Sequence, residues 1–106
     1  MKLDNVIAAL ADPTRRRLLR RLGEEPRRAS ELASGFAISR PAICKHTHVL
    51  ARAGLIRAKK NGRERIYELA PGGREAIGRL IVELTTVQDF WDSALKAFKQ
   101  YVEEQP

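Results

Sequence analysis

The first half of the chain alternates short apolar runs of helical spacing with polar breaks. The earliest run has apolar residues at i, i+3, i+4 and i+7, which predicts a first helix. Its positions are Leu3, Val6, Ile7 and Leu10. Asp12 suits an N-cap and Pro13 a first helical position, so a second helix is predicted over residues 14–22. Gly23 is expected to end that helix, and residues 24–28 are expected to form a polar loop.

Two further helices are predicted close together. Residues 29–36 form a short third helix, and Ser39 caps a fourth that runs until Gly54. Ile43 and Leu50 are its inward-facing apolar positions. Two short helices joined by a tight turn, the second well capped, predict a helix-turn-helix.

A hairpin is predicted directly after the fourth helix. Residues 55–60 and 64–69 flank the dipeptide Asn61-Gly62, which favours a two-residue turn because both positions accept positive φ. The hairpin is basic, and its place after a helix-turn-helix predicts a DNA-contacting wing; a plain solubilising hairpin is the alternative.

The last third of the chain predicts one long helix with an apolar stripe. Apolar residues alternate at spacings of three and four, as in a heptad repeat: Ile77, Leu80, Leu84, Val87, Trp91, Ala94, Phe98 and Tyr101. A helix of roughly 45 Å, at 1.5 Å per residue, is too long for a core of this size to cover. We therefore expect homodimerisation through the first and last helices. The residues expected at this interface are Leu3, Ile7, Ile77, Leu84, Trp91 and Phe98.

Two alternatives remain for the stripe. It could pack wholly on its own domain, or it could bind a different protein, which would make the chain a protein-interaction adaptor.

The fold class is mainly α with a small β-hairpin, in a single domain over 1–106. Residues 1–70 are expected to form the DNA-binding core with the first dimer helix, and 71–106 the C-terminal dimerisation helix.

Composition narrows the class of protein. The chain has 106 residues, and its formal net charge is +7. Residues 1–65 hold 16 of the 20 basic and 6 of the 13 acidic residues, a net +10, whereas 66–106 net −3. A basic block is the electrostatic signature of nucleic-acid binding, with a membrane-surface helix or a solvated surface as alternatives. With no long apolar run, no signal peptide and a single cysteine, the expected location is the cytoplasm, without membrane association.

Several strings of the sequence, in order and over nearly the whole chain, resemble the ArsR family of winged helix-turn-helix transcriptional repressors. They are Ala11–Leu19, Ser39–His46, Val49-Leu50, Ala53–Ile56, Asn61–Arg63 and Tyr67–Leu69. The resemblance implies a homodimer that binds an inverted repeat in double-stranded DNA, often near its own promoter, and that a metal or another signal often releases.

The residues expected to contact DNA follow from the helix-turn-helix geometry, in which the N-terminal part of the second helix meets base edges. They are Ser39, Arg40, Ala42, Lys45 and His46, with Arg63 and Arg65 of the wing on phosphates or in the minor groove. Arg40 is suited to bidentate contact with guanine, and the Ala42 methyl to contact with thymine. Arginines 15–17 and 20–21 either contact phosphates or form a solvated helix face.

Effectors and catalysis are poorly supported by the sequence. Metal-sensing members of the resembled family carry cysteines on the third helix and histidines on the last one, and this chain has neither. Cys44 and His48 have two-ligand spacing but no evident third ligand, so no metal and no cofactor is expected. A repressor that responds to a metal through Cys44 is the alternative. Cys44 beside Lys45 is a possible redox-sensing thiol. No nucleophilic or phosphate-binding motif is present, so we expect no enzyme.

Overall fold

A computed structural model describes residues 2–105, which form five helices and a small antiparallel sheet. The elements in chain order are α1 (Leu3–Leu10), α2 (Pro13–Glu24), β1 (Arg27–Arg28), α3 (Ala29–Leu32), α4 (Arg40–Arg52), β2 (Ile56–Asn61), β3 (Glu64–Leu69) and α5 (Gly73–Glu104). This arrangement confirms a mainly helical winged helix-turn-helix fold.

Local capping chemistry sets the starts of the two helices that matter most for the site. The carboxylate of Asp12 accepts a hydrogen bond from the N–H of Arg15 at 3.1 Å, and Pro13 occupies the first turn of α2. The hydroxyl of Ser39 accepts from the N–H of Ala42 at 3.3 Å at the start of α4. Each side chain satisfies an N–H that the helix itself leaves unpaired.

The sheet has three strands in the order β1-β3-β2, one more than the predicted hairpin. β1 pairs Arg27 with Tyr67 and Arg28 with Ile66, in the segment that was expected to be a polar loop. This pairing depends on a contact between segments that are distant in the sequence, because β3 has a free edge with which the two extended residues before α3 pair.

Three predicted boundaries are wrong by short distances. The hairpin turn is Gly62-Arg63 rather than Asn61-Gly62, because Asn61 is paired with Glu64 in the sheet. Gly62 has φ +67°, so a glycine at the first central position meets the demand of a two-residue turn. α2 continues through Gly23 to Glu24. α3 spans four residues and ends at Leu32, well before residue 36.

One apolar core lies between the helices and the inner face of the sheet. Its buried members are Val6, Ala9, Leu18, Leu22, Leu32, Ile43, Leu50, Ala53, Leu55, Ile56, Tyr67, Ala76 and Leu80. α5 contributes only its first turns, since Leu80 is its last buried residue and every described residue beyond it is exposed. The 32-residue helix therefore projects from the core and gives the molecule its extents of 74 × 28 × 21 Å.

Candidate nucleic-acid interface

α4 is held by one apolar face, and this fixes which of its side chains meet solvent. Ile43, Thr47 and Leu50 are buried at i, i+4 and i+7. Thr47, 3% exposed, donates its hydroxyl hydrogen to the carbonyl of Cys44 at 3.0 Å, so the buried polar group is satisfied. A threonine at this inward position therefore packs in the core.

The opposite face of α4 is exposed and basic. Lys45, one of the predicted DNA-contacting residues, lies on it, whereas Arg40 and Ser39 are exposed at the start of the helix. Cys44 and His48 are exposed on the same helix, although His48 was not among the predicted contacts. Counting 100° per residue outward from Ile43 and Leu50 would have placed His48 on this face.

Ala42 and His46 are the predicted base-contacting residues of α4 that are not fully exposed, and their contact with DNA stays a prediction. Both are partly buried, and His46 lies on the flank of α4 that faces the start of α2. Nδ1 of His46 lies 3.1 Å from Nη1 of Arg15 and 3.9 Å from Oδ2 of Asp12. Sequence reasoning missed these contacts because they depend on how α4 docks against the start of α2.

The wing and α4 together form an arginine-lined groove of about 390 Å³. Arg40 from α4, Arg63 and Arg65 from the hairpin, and Arg28 from β1 line it. The structure thus brings three of the predicted DNA-contacting arginines to one concave surface, and Cys44 lies on the same surface.

The acidic side chain in the wall of this groove is already neutralised. Oε2 of Glu64 lies 2.9 Å from Nε of Arg28. The other three arginines of the groove make no ion pair among residues 2–105. Guanidinium groups without a protein counter-charge beside an exposed helix are the arrangement that phosphate oxygens complement.

Most arginines of α2 serve the fold. Arg15 donates to the carbonyls of Ala9 at 2.7 Å and Ala8 at 2.8 Å, and Arg16 donates to that of Leu10 at 2.7 Å. These bonds satisfy the last carbonyls of α1 and place positive charge at its C-terminus. Arg17 and Arg21 lie over the ring of Phe36, with centroid distances of 4.7 and 5.6 Å.

Asp12 has a lowered pKa. Its partial burial acts to raise the pKa, but the hydrogen bond from the N–H of Arg15 and the neighbouring positive charge outweigh that effect. The carboxylate at the start of α2 is therefore ionised at neutral pH and remains a hydrogen-bond acceptor for the helix N-terminus.

The long helix α5 carries the exposed apolar face. Three predicted interface residues, Leu84, Trp91 and Phe98, are 57%, 65% and 66% exposed, and Ile7 of α1 is 43% exposed. The same face includes Ile81, Val87, Leu95, Tyr101 and Val102. Leu3 and Ile77, by contrast, pack partly against the chain's own core.

Comparison with known proteins agrees with this geometry. A family model described as a helix-turn-helix domain matches residues 10–58. The HTH-type transcriptional regulator Rv2034 of Mycobacterium tuberculosis is 35% identical over 102 residues, covering 96% of this chain and 90% of the relative. The transcriptional repressor SdpR of Bacillus subtilis is 36% identical over 67 residues, covering 63% and 74%.

A solved structure of an ArsR family transcriptional regulator, RHA00566, superposes with a TM-score of 0.71 at 38% identity. The match covers 85% of this chain and 96% of that one. The chain belongs to the ArsR family. This confirms the resemblance that the sequence strings suggested, and the ArsR-family fold assigns α3 and α4 to the helix-turn-helix and β2–β3 to the wing.

Two further observations concern other kinds of site in this ArsR-family regulator. Within residues 2–105, no three side chains of the His, Cys, Asp and Glu types are grouped so that they could hold a metal ion. In the same part of the chain, no helix is both long and apolar enough to cross a membrane.

Proposed function

We propose that the protein is a homodimeric, sequence-specific repressor without catalytic activity. In this proposal, two copies of α4 occupy successive major grooves of an inverted repeat and thereby block a promoter. The protein acts in the cytoplasm, and the promoters that it blocks include that of its own gene. The observation that carries the proposal is the exposed basic face of α4 beside the groove lined by Arg40, Arg63 and Arg65. The name of the relative SdpR, a transcriptional repressor, supports the direction of regulation.

The roles of the DNA-contacting residues follow from their placement. A major groove about 12 Å wide admits one helix, and the exposed N-terminal turn of α4 brings Arg40 to base edges. Ser39 and Lys45 are suited to phosphates at the two sides of that turn. Arg63 and Arg65 extend the contact along the backbone or into the adjacent minor groove.

The second copy of the chain is proposed because the apolar face of α5 is too extensive to remain in water. It runs from Ile81 to Val102 along the free part of the helix. Exposed apolar areas of this size mark interaction sites. A two-fold dimer would place its recognition helices one DNA turn apart, about 34 Å, which predicts an inverted repeat.

Fluorescence anisotropy tests this function directly. One duplex carries the DNA upstream of the protein's own gene, and a second carries a scrambled sequence of equal length. A preference of about 1,000-fold or more at physiological salt supports a specific repressor. Equal affinity for both duplexes that is lost when salt is added contradicts the repressor function. Such binding would reflect only the nonspecific attraction between a basic protein and the DNA phosphates.

A protein-interaction adaptor is the second candidate, and the exposed face of α5 is the observation that favours it. The two functions predict different molecular masses of the protein in solution. Sedimentation equilibrium that gives a dimer supports the repressor, whereas a stable monomer would favour an adaptor whose α5 binds another protein.

A redox-responsive form of the repressor rests on Cys44, which is exposed and lies in the arginine-lined groove. Hydrogen peroxide would oxidise the thiol to a sulfenic acid and be reduced to water. The added oxygen would lie at the DNA-facing surface. This form of the proposal requires peroxide to weaken DNA binding by the wild type and not by Cys44→Ser.

A further inference from the structure

A second pocket lies away from α4, where α2, the end of β3 and the start of α5 meet. Its volume is about 500 Å³, within the range of about 300–1,000 Å³ found for small-molecule sites. None of its lining residues belongs to α4 or to the Gly62-Arg63 turn. The pocket is therefore separate from the proposed DNA-contacting surface.

The walls of this pocket are apolar. Five residues from five different parts of the chain line it: Leu10, Leu19, Leu55, Leu69 and Ile77. Leu55 is buried, so the pocket reaches down to the core. Leu69 is 44% exposed at the end of β3, although it is a large apolar side chain that lines this same space.

The polar side chains of the pocket are all arginines. Arg16, Arg20 and Arg74 line it, and no acidic side chain does. Arg16 is held across the end of α1 by its bond to the carbonyl of Leu10. Within residues 2–105 none of the three forms an ion pair with a carboxylate. An apolar space with several guanidinium groups and no counter-charge is complementary to an amphipathic anion.

We propose that this pocket binds a small molecule with an anionic head group on an apolar chain, of which a medium-chain carboxylate is the simplest example. The apolar part lies against Leu19, Leu55 and Leu69. The head group is bound by Arg20 and Arg74, with Arg16 beside it. A carboxylate or a phosphate ester would satisfy the same arginines, and the experiment separates these two chemistries.

The location of the pocket gives the ligand a way to influence regulation, and this part rests on the proposed function. Arg20 belongs to α2 of the DNA-binding half, whereas Arg74 and Ile77 belong to the first turns of α5. A ligand that bridges them would favour one orientation of α5 relative to α2. Because α5 carries the dimer face, the spacing of the two recognition helices would change with it.

Isothermal titration calorimetry of the full-length protein without DNA tests the binding site. The probes are decanoate, decyl phosphate, decanol and acetate, each below any micelle-forming concentration. We expect decanoate to bind with one site per chain and decanol and acetate to bind at least about tenfold more weakly. Equal affinity for decanol and decanoate would overturn the role of the arginines. Tighter binding of decyl phosphate than of decanoate would reassign the head group to a phosphate.

Two variants localise the site. The double variant Arg20→Ala/Arg74→Ala should weaken decanoate binding about tenfold or more, whereas Arg79→Ala, an exposed arginine of α5 outside the pocket, should not change it. Leu69→Glu provides a second test, since it places a negative charge at the same wall. Circular dichroism and thermal unfolding establish that each variant is folded. Unchanged binding by both variants, or no binding of decanoate to the wild type, would overturn the proposal.

Anisotropy with the upstream duplex, with and without decanoate, tests the regulatory part separately. A change in DNA affinity that is lost in the double variant supports it. Binding in the calorimeter without any change in DNA affinity would overturn the regulatory part alone. Failure of the repressor function would show instead as equal affinity for the two duplexes without ligand.

Discussion

Nη1 of Arg15 lies 3.1 Å from Nδ1 of His46, so a residue of α2 contacts the recognition helix on its inner flank. A guanidinium has only N–H donors, so Arg15 can act only as the donor in this contact. The same guanidinium donates to the carbonyls of Ala8 and Ala9. One side chain thereby joins the end of α1, the start of α2 and the middle of α4.

Arg15→Ala should therefore reduce the stability of the fold. Three acceptors lose a charged donor, and we expect the free energy of unfolding in urea to fall by about 1–3 kcal/mol. Arg79→Ala, on the exposed surface of α5, serves as the control and should change it little. A phosphate-contacting role would give a different result: unchanged stability, and a salt dependence of DNA binding reduced by about one ion.

Arg40→Ala and Arg63→Ala should separate base recognition from backbone contact. Arg40 lies in the first turn of α4, so its loss should cost about 1–3 kcal/mol and relax specificity at one base pair. Arg63 lies in the hairpin turn, so its loss should weaken binding to all sequences alike and reduce the salt slope by about 1. Anisotropy against a set of single-base variants at several salt concentrations measures both.

Arg52→Ala is the matched control for Arg40, because it is exposed on the same helix but in its last turn. It should leave the preference among single-base variants unchanged. If Arg52→Ala relaxes specificity and Arg40→Ala does not, the direction in which α4 enters the groove is the reverse of the proposed one.

Short-range chemistry explains which features the sequence could predict. Asp12 and Ser39 begin α2 and α4 because each cap needs only a neighbouring N–H, and the apolar spacing of α1 and α5 needs only the helix period. The hairpin turn moved by one residue because the pairing of Asn61 with Glu64 depends on the register of the whole ladder. A Gly62-Arg63 turn and an Asn61-Gly62 turn are both compatible with the local residues.

The missed features all depend on contacts between distant segments. β1 forms only because Arg27 meets Tyr67, forty residues away in the sequence. His46 is directed toward Asp12 and Arg15 by the docking of α4 on α2, and nothing in residues 39–46 specifies that contact. The partial burial of Ile77 follows from where α5 leaves the core, which the heptad pattern does not reveal.

Because of Glu68, the stability of the hairpin should decrease at low pH. Its carboxylate accepts hydrogen bonds from Lys59 at 3.0 Å and Arg57 at 2.7 Å on the neighbouring strand, and these lower its pKa below the ordinary 4.5. The ionised form therefore stabilises the folded state above about pH 4.5, and this contribution is lost as the pH falls through the lowered pKa.

Glu68→Gln tests that dependence. The difference in thermal unfolding temperature between the wild type and the variant should be present at pH 7 and should shrink by pH 3. Asp89→Asn, at an exposed acid in the middle of α5 outside these ion pairs, is the control. A difference that is the same at both pH values would mean that the carboxylate charge does not stabilise the hairpin.

Trp91→Ala should weaken dimerisation and, through it, operator affinity. The indole is 65% exposed in one chain, and its burial against a second copy would remove a large apolar area from water. Val82→Ala is the control because Val82 is also exposed but lies on the other side of the helix from Leu84. Sedimentation equilibrium should show that the Trp91→Ala dimer dissociates at protein concentrations at which the wild type and Val82→Ala remain dimers. A variant that remains a full dimer with wild-type DNA affinity would contradict the dimer assignment.

Alkylation of Cys44 should block DNA binding, because this exposed thiol lies on α4 in the arginine-lined groove. N-ethylmaleimide adds a bulky group at a surface that must approach the DNA backbone closely. We expect operator affinity to fall about tenfold or more, while thermal unfolding stays unchanged because Cys44 lies outside the core. Cys44→Ser treated in the same way should bind like the untreated protein. Full affinity after complete modification, established by mass spectrometry, would show that this flank of α4 does not face DNA, and the proposed docking of the recognition helix would have to rotate away from the groove.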